Sequence, residues 1–140
     1  MNFSKYIGLK YKLKGRESSG LDCYGLVYLI YKEEKGIVLP DFNSIQYCDT
    51  WYEKGEHHIT DGIEKIWNIG KEIKKPYKPY DVMFFYSSPS KTVVNHCGLF
   101  IEDNKFIHIY PHEKSYSEIA RFSGYWESKL YKVIRYKGDV

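Results

Sequence analysis

Asp22-Cys23-Tyr24-Gly25-Leu26-Val27 is the stretch on which the reading of this chain turns. The run before it, Gly15-Arg16-Glu17-Ser18-Ser19-Gly20, is rich in turn formers and poor material for a regular element. Past it, Cys23, Leu26, Val27 and Ile30 recur at the i, i+3, i+4, i+7 spacing of an amphipathic helix. Asp22 is a good N-cap type and Gly36 a good C-cap type, so the pattern predicts a helix from about Asp22 to Glu34. The Cys23 sulfur then lies in the first helical turn. Free N–H groups and positive partial charge at a helix N-terminus favour a thiolate there. Taken alone, however, a cysteine on an apolar helix face reads more readily as a small buried hydrophobe.

A second segment changes the balance. A nucleophilic thiol needs a base, and the base needs a third polar group to orient it. Asn95-His96-Cys97-Gly98-Leu99-Phe100-Ile101 and Phe106-Ile107-His108-Ile109-Tyr110 read as two strands around Glu102-Asp103-Asn104-Lys105. Two registers are open. A two-residue turn that pairs Glu102 with Lys105 also pairs Leu99 with His108, and His96 falls on the opposite face. A three-residue loop or a bulge shifts the pairing by one residue. Cys97, Leu99, Ile101, Ile107 and Ile109 then form one apolar face; His96, Gly98, Phe100, Phe106, His108 and Tyr110 form the other. The register that buries the aliphatic residues together is the one that makes neighbours of the two histidines.

In this order the motifs resemble those of the NlpC-type cell-wall cysteine peptidases. That pattern runs Tyr, a Gly-rich turn, Asp-Cys-Ser-Gly-Leu/Phe-Val, Gly-Asp before an apolar strand, His-Val-Gly-Ile-Tyr, and a polar residue twelve positions past the His. Here the corresponding elements are Tyr11, Gly15, Asp22 to Val27, Tyr80-Asp81-Val82-Met83-Phe84-Phe85, His96-Cys97-Gly98-Leu99-Phe100 and His108. The match extends from about Tyr6 to Tyr136. Tyr6-Ile7-Gly8-Leu9-Lys10-Tyr11, Ile37-Val38-Leu39-Pro40-Asp41, the aromatic Tyr24, Trp126 and Arg135 are similar to the branch found in tail assembly of bacteriophages.

The resemblance implies an α+β chain with a papain-like NlpC-type fold. In it an N-terminal nucleophile helix packs on a small antiparallel sheet or barrel, and residues 1–140 form one peptidase domain. It implies Cys23 as nucleophile, His96 as base and His108 as the group orienting His96. It also implies Tyr11, Asp22 and Tyr24 as substrate-binding residues. The substrate class is the stem peptide of peptidoglycan, cut at the bond from D-γ-glutamate to a diamino acid, with other tail-tip proteins as partners. Two departures stand out: Tyr24 replaces the usual Ser, and Leu13 and Lys14 replace the usual Trp and Gly of the turn. Two other readings stay open. One is a cysteine amidase of similar residue order; the other is a structural tail component that cuts nothing.

Composition frames these expectations. A chain of 140 residues with 43% hydrophobic content can bury a real core. No stretch approaches the roughly 20 apolar residues that span a membrane. Met1-Asn2-Phe3-Ser4-Lys5-Tyr6 lacks an apolar signal core, so secretion by that route is not expected; this suits the location that the resemblance implies, the host cytoplasm during assembly and then the virion tail. Cys23, Cys48 and Cys97 are odd in number and lack metal spacing, so neither a disulfide nor a metal nor another cofactor is expected. A zinc site from Cys48, His57 and His58 matches no standard pattern. With 21 basic against 18 acidic residues, the stretches Lys10, Lys12, Lys14, Arg16 and Lys71, Lys74, Lys75, Lys78 read as solvated faces, not nucleic-acid or membrane surfaces. A polar-aromatic connector is expected from Pro40 to Thr60. A second helix should start at Asp61 and carry Ile63, Ile66, Trp67 and Ile73, interrupted or ended near Gly70. Strands are expected at Asp81–Tyr86, Val93–Ile101, Phe106–Tyr110 and Leu130–Tyr136.

Overall fold

The computed structural model describes residues 2–41, 70–86, 93–112 and 114–139. The connector beyond Asp41, most of the expected second helix, and Cys48, His57 and His58 lie outside the described residues.

The turn-rich run before Asp22 is not irregular. It folds into a short antiparallel hairpin, β1 (Arg16–Glu17) and β2 (Gly20–Leu21). Glycine makes this possible: a Cβ on Gly15 would lie 2.1 Å from the Gly20 carbonyl oxygen, and one on Gly25 would lie 1.9 Å from that of Gly15. These three backbones touch, which seats the following helix directly on the hairpin. That helix, α1 (Cys23–Ile30), starts where the spacing predicts. Its last turn, Tyr31–Lys35, widens to π geometry, and Gly36 closes it with a left-handed φ of 67°. The α-helical part is therefore shorter than expected, although the helical stretch ends in the expected place.

Among the described residues, six further strands form one antiparallel sheet. They are β3 (Gly70–Ile73), β4 (Val82–Phe85), β5 (His96–Glu102), β6 (Lys105–His108), β7 (Glu118–Arg121) and β8 (Leu130–Tyr136). Their order across the sheet is β3-β8-β4-β5-β6-β7. A one-turn helix, α2 (Tyr125–Ser128), precedes β8. Two expectations are corrected here. Ile73, assigned by its spacing to a helical face, belongs to edge strand β3; β7, with the pattern Glu-Ile-Ala-Arg, was not anticipated at all.

Alternation along the strands creates two different cores. One face carries Val82, Phe84, Cys97, Leu99, Ile101, Ile107, Ile109 and Ile134, which pack with Leu26, Val27 and Ile30 of α1. The other carries Met83, Phe85, Phe100, Phe106 and Val133, covered by Phe122 and Trp126. The hairpin β5–β6 combines both registers left open by the sequence. Glu102 pairs with Lys105 across a two-residue turn, in which Asp103 and Asn104 have φ of 51° and 58°. A bulge between Phe100 and Glu102 then shifts the ladder, so that Leu99 pairs with Ile107 and Phe100 with Phe106. The shifted register holds from there toward the histidines.

Candidate active site

Asp22 organises the start of α1. Its carboxylate accepts hydrogen bonds from the backbone N–H of Gly25 (2.7 Å), the backbone N–H of Lys14 (3.1 Å) and Nη1 of Arg16 (2.8 Å). Both members of the Asp22–Arg16 pair are nearly buried, at 8% and 7% side-chain exposure. The cap and the hairpin are thus held by one side chain. Tyr24 follows the nucleophile candidate with its hydroxyl donating to the Pro40 carbonyl at 2.7 Å and the Arg16 guanidinium 5.2 Å from its ring centre. Burial pushes the Tyr24 phenol well above its ordinary pKa. Asp22 and Tyr24, expected to bind substrate, are both engaged in contacts within the chain.

Cys23 is the first residue of α1, half-buried and not in a disulfide. The Cys23 thiol beside it, with burial, pushes the Cys97 thiol up. Cys97 directly follows His96 on β5, so the first turn of α1 abuts the start of that strand. Tyr11 is buried, bridges in parallel to Leu21, and lines a cleft of about 390 Å³ with Lys10, Lys12, Ser19 and Lys114.

The histidines meet as the register requires. His96 Nε2 and His108 Nδ1 lie 2.8 Å apart, and both residues are at most 1% exposed. Gly98 makes room for this: a Cβ there would lie 3.2 Å from that of His108 and 2.9 Å from Cδ2 of Phe106. Among the described residues His96 Nδ1 has no hydrogen-bond partner, so Cys23 and His96 are not themselves hydrogen-bonded. Burial, with the second imidazole beside it, holds His96 well below its ordinary pKa; burial alone brings His108 down to about 4. Both rings are therefore neutral at pH 7.

Aromatic side chains fix the rings in place. Tyr110 stacks on His96 at 5.4 Å and 20°, and Trp126 lies 5.2 Å from His96 and 5.0 Å from His108. The sequence marked Trp126 only through the resemblance and gave no physical reason for it; the reason is this double contact. Glu118, with Oε2 3.6 Å from His108 Nε2, went unnoticed because its strand did. No group of three or more His, Cys, Asp or Glu side chains among the described residues could hold a metal ion.

The model of the family described as NlpC/P60 matches residues 8–135, a span that includes every residue of this site. The chain belongs to the NlpC/P60 family. This NlpC/P60 chain is 30% identical over 135 residues to Gamma-DL-glutamyl hydrolase of Bacillus subtilis (strain 168), matching 94% of the chain and 27% of that protein. It is 29% identical over 128 residues to Tail tip assembly protein K of Escherichia phage N15, matching 83% of the chain and 45% of that protein. It therefore spans less than half the length of either relative. Among solved structures, an NLP/P60 family protein similar to a lipoprotein, from Staphylococcus aureus, shares the fold. The TM-score is 0.60 at 24% identity, over 94% of this chain and 38% of that one.

Proposed function

We propose that this NlpC/P60 chain is a phage tail-associated peptidoglycan endopeptidase acting through Cys23, His96 and His108. Its substrate on this reading is the stem peptide, cut between D-γ-glutamate and the following diamino acid. The observation that carries the proposal is the buried 2.8 Å contact between His96 Nε2 and His108 Nδ1, which leaves His96 Nδ1 open. An imidazole held on one nitrogen and unpartnered on the other is equipped to act as a base. The glutamyl bond and the tail setting are supported by relatives named Gamma-DL-glutamyl hydrolase and Tail tip assembly protein K.

The chemistry runs as follows. Neutral His96 takes the Cys23 thiol proton at Nδ1 while Sγ attacks the peptide carbonyl carbon. The backbone N–H of Cys23, at the start of α1, donates to the developing oxyanion. His96 returns the proton to the leaving amine, and a thioester remains on Cys23. Water activated by the same imidazole then hydrolyses it and restores the thiol. On this reading Tyr11, which lines the cleft with Lys10, Lys12, Ser19 and Lys114, contacts the substrate away from the thiol.

Digestion of purified peptidoglycan by wild type and Cys23→Ala, with mass spectrometry of the released fragments, tests this reading. Stem-peptide fragments from wild type alone are expected, and their masses name the bond. Release by both proteins would remove Cys23 as nucleophile. Release by neither, with both folded, would favour the second reading, a tail component that cuts nothing, to which the similarity with Tail tip assembly protein K also leads.

A further inference from the structure

We infer that Glu118 is a positioning residue which selects the tautomer of the histidine pair; the inference rests on the proposed role of His96 as base. The contact between His96 Nε2 and His108 Nδ1 needs one proton and one lone pair. If His96 is to accept a proton at Nδ1, its own proton must be on Nε2, donated to His108 Nδ1. The only proton on neutral His108 then sits at Nε2. That atom is buried and has no hydrogen-bond partner at normal length; the carboxylate oxygen Oε2 of Glu118 stands 3.6 Å away. The sheet sets up this approach, because His108 and Glu118 are direct cross-strand partners in the β6–β7 ladder.

The other tautomer reverses both preferences. With the proton on His108 Nδ1, His96 Nε2 accepts, and the His96 proton moves to Nδ1, where it blocks uptake from the thiol. His108 Nε2 then turns a lone pair toward the Glu118 carboxylate. Glu118 disfavours that arrangement and favours the one in which His96 is a base. Its side chain is 65% exposed, so the carboxylate stays hydrated and keeps the rotational freedom to close on Nε2. The titratable groups around His108 are His96 from β5, Tyr110 beyond the end of β6 and Glu118 from β7; Phe106 and Trp126 complete the enclosure without titrating. When His96 takes the thiol proton, the carboxylate also opposes the charge that appears on the pair.

Nitrogen-15 imidazole spectra of wild type, Glu118→Gln and Glu118→Ala separate these effects, since the residue is exposed and none of the variants disturbs the core. Wild type should carry the His108 proton on Nε2. Glu118→Gln, whose amide oxygen still accepts, should keep that tautomer. Glu118→Ala should mix the two, with kcat on peptidoglycan about two- to fivefold lower at unchanged KM, the scale of an exposed charged contact. The rate of Cys23 alkylation by iodoacetamide, followed against pH, should fall in parallel and needs no substrate. An unchanged tautomer in Glu118→Ala would overturn the inference, whether or not peptidoglycan is cut. A shifted tautomer in a protein that cuts nothing would overturn the proposed function and leave the assignment of Glu118 standing.

Discussion

Gly98 sits under the histidine pair, where a single methyl group has nowhere to go. In Gly98→Ala the new Cβ would approach the Ile107 carbonyl oxygen and the Phe106 ring to 2.9 Å each. Overpacking of this kind costs about 1–3 kcal/mol. We expect a lowered urea midpoint, with displaced His108 resonances as the sign that the clash is felt at the site. The histidines themselves make stability depend on pH. Both are held below the ordinary value of 6.5, His108 at about 4, so the unfolded chain takes up protons that the folded chain refuses. Stability is therefore full above about pH 6.5 and falls as the pH drops toward about 4, by up to about 1.4 kcal/mol per unit for each histidine. Urea titrations across that window should show the decline, and His108→Asn should make it shallower while leaving the share of His96; a level profile in wild type would show that the rings are not buried neutral. At this scale the place of Cys23 at the start of α1 and the meeting of His96 with His108 could be read from residue spacing. Glu118 could not, because the return from Tyr110 through Pro111 and His112 contains no turn signal that fixes which residue faces His108.

The N-terminus of α1 depends on one carboxylate that caps the helix, holds Lys14 and neutralises buried Arg16. Asp22→Ala removes all three contacts, and breaking a buried charge pair costs about 3–5 kcal/mol. Asp22→Asn breaks the charge pair as well but keeps a capping oxygen, so it should lose less by about the 0.5–2 kcal/mol of a helix cap. Calorimetry on the two variants separates cap from charge: equal losses would show that the ion pair, not the cap, dominates. Legibility among the elements followed burial. α1 and strands β4, β5, β6 and β8 were visible because they alternate or repeat against a core. Strands β3 and β7 lie at the two edges of the sheet, half-exposed, and show no comparable pattern. The hairpin β1–β2 was missed because its glycines, read as breakers, are there for close backbone approach. Tyr80 offers the converse lesson. It adopts a φ of 75°, a conformation that glycine prefers, and its ring is held against Phe3 at 5.5 Å and under Lys35 at 4.7 Å. Those contacts offset a backbone cost of about 1–3 kcal/mol.

Taken as a whole, the molecule is a sheet with unlike layers on its two faces, aliphatic toward α1 and aromatic toward α2. Asp81 and Arg135 tie β4 to β8 by a two-pronged ion pair, at 2.8 and 2.7 Å. Strand β5 lies between β4 and β6 and is buried from His96 to Ile101. Exposing its amides means separating both layers at once, so no smaller opening is expected to reach them. In deuterium exchange His96 to Ile101 should be the slowest positions, with a protection free energy equal to that of global unfolding by urea. Earlier exchange there would reveal a subglobal opening of the site. His96, the proposed base, is carried on such a strand and should have no partly unfolded form to visit: it is either in place or the molecule has come apart.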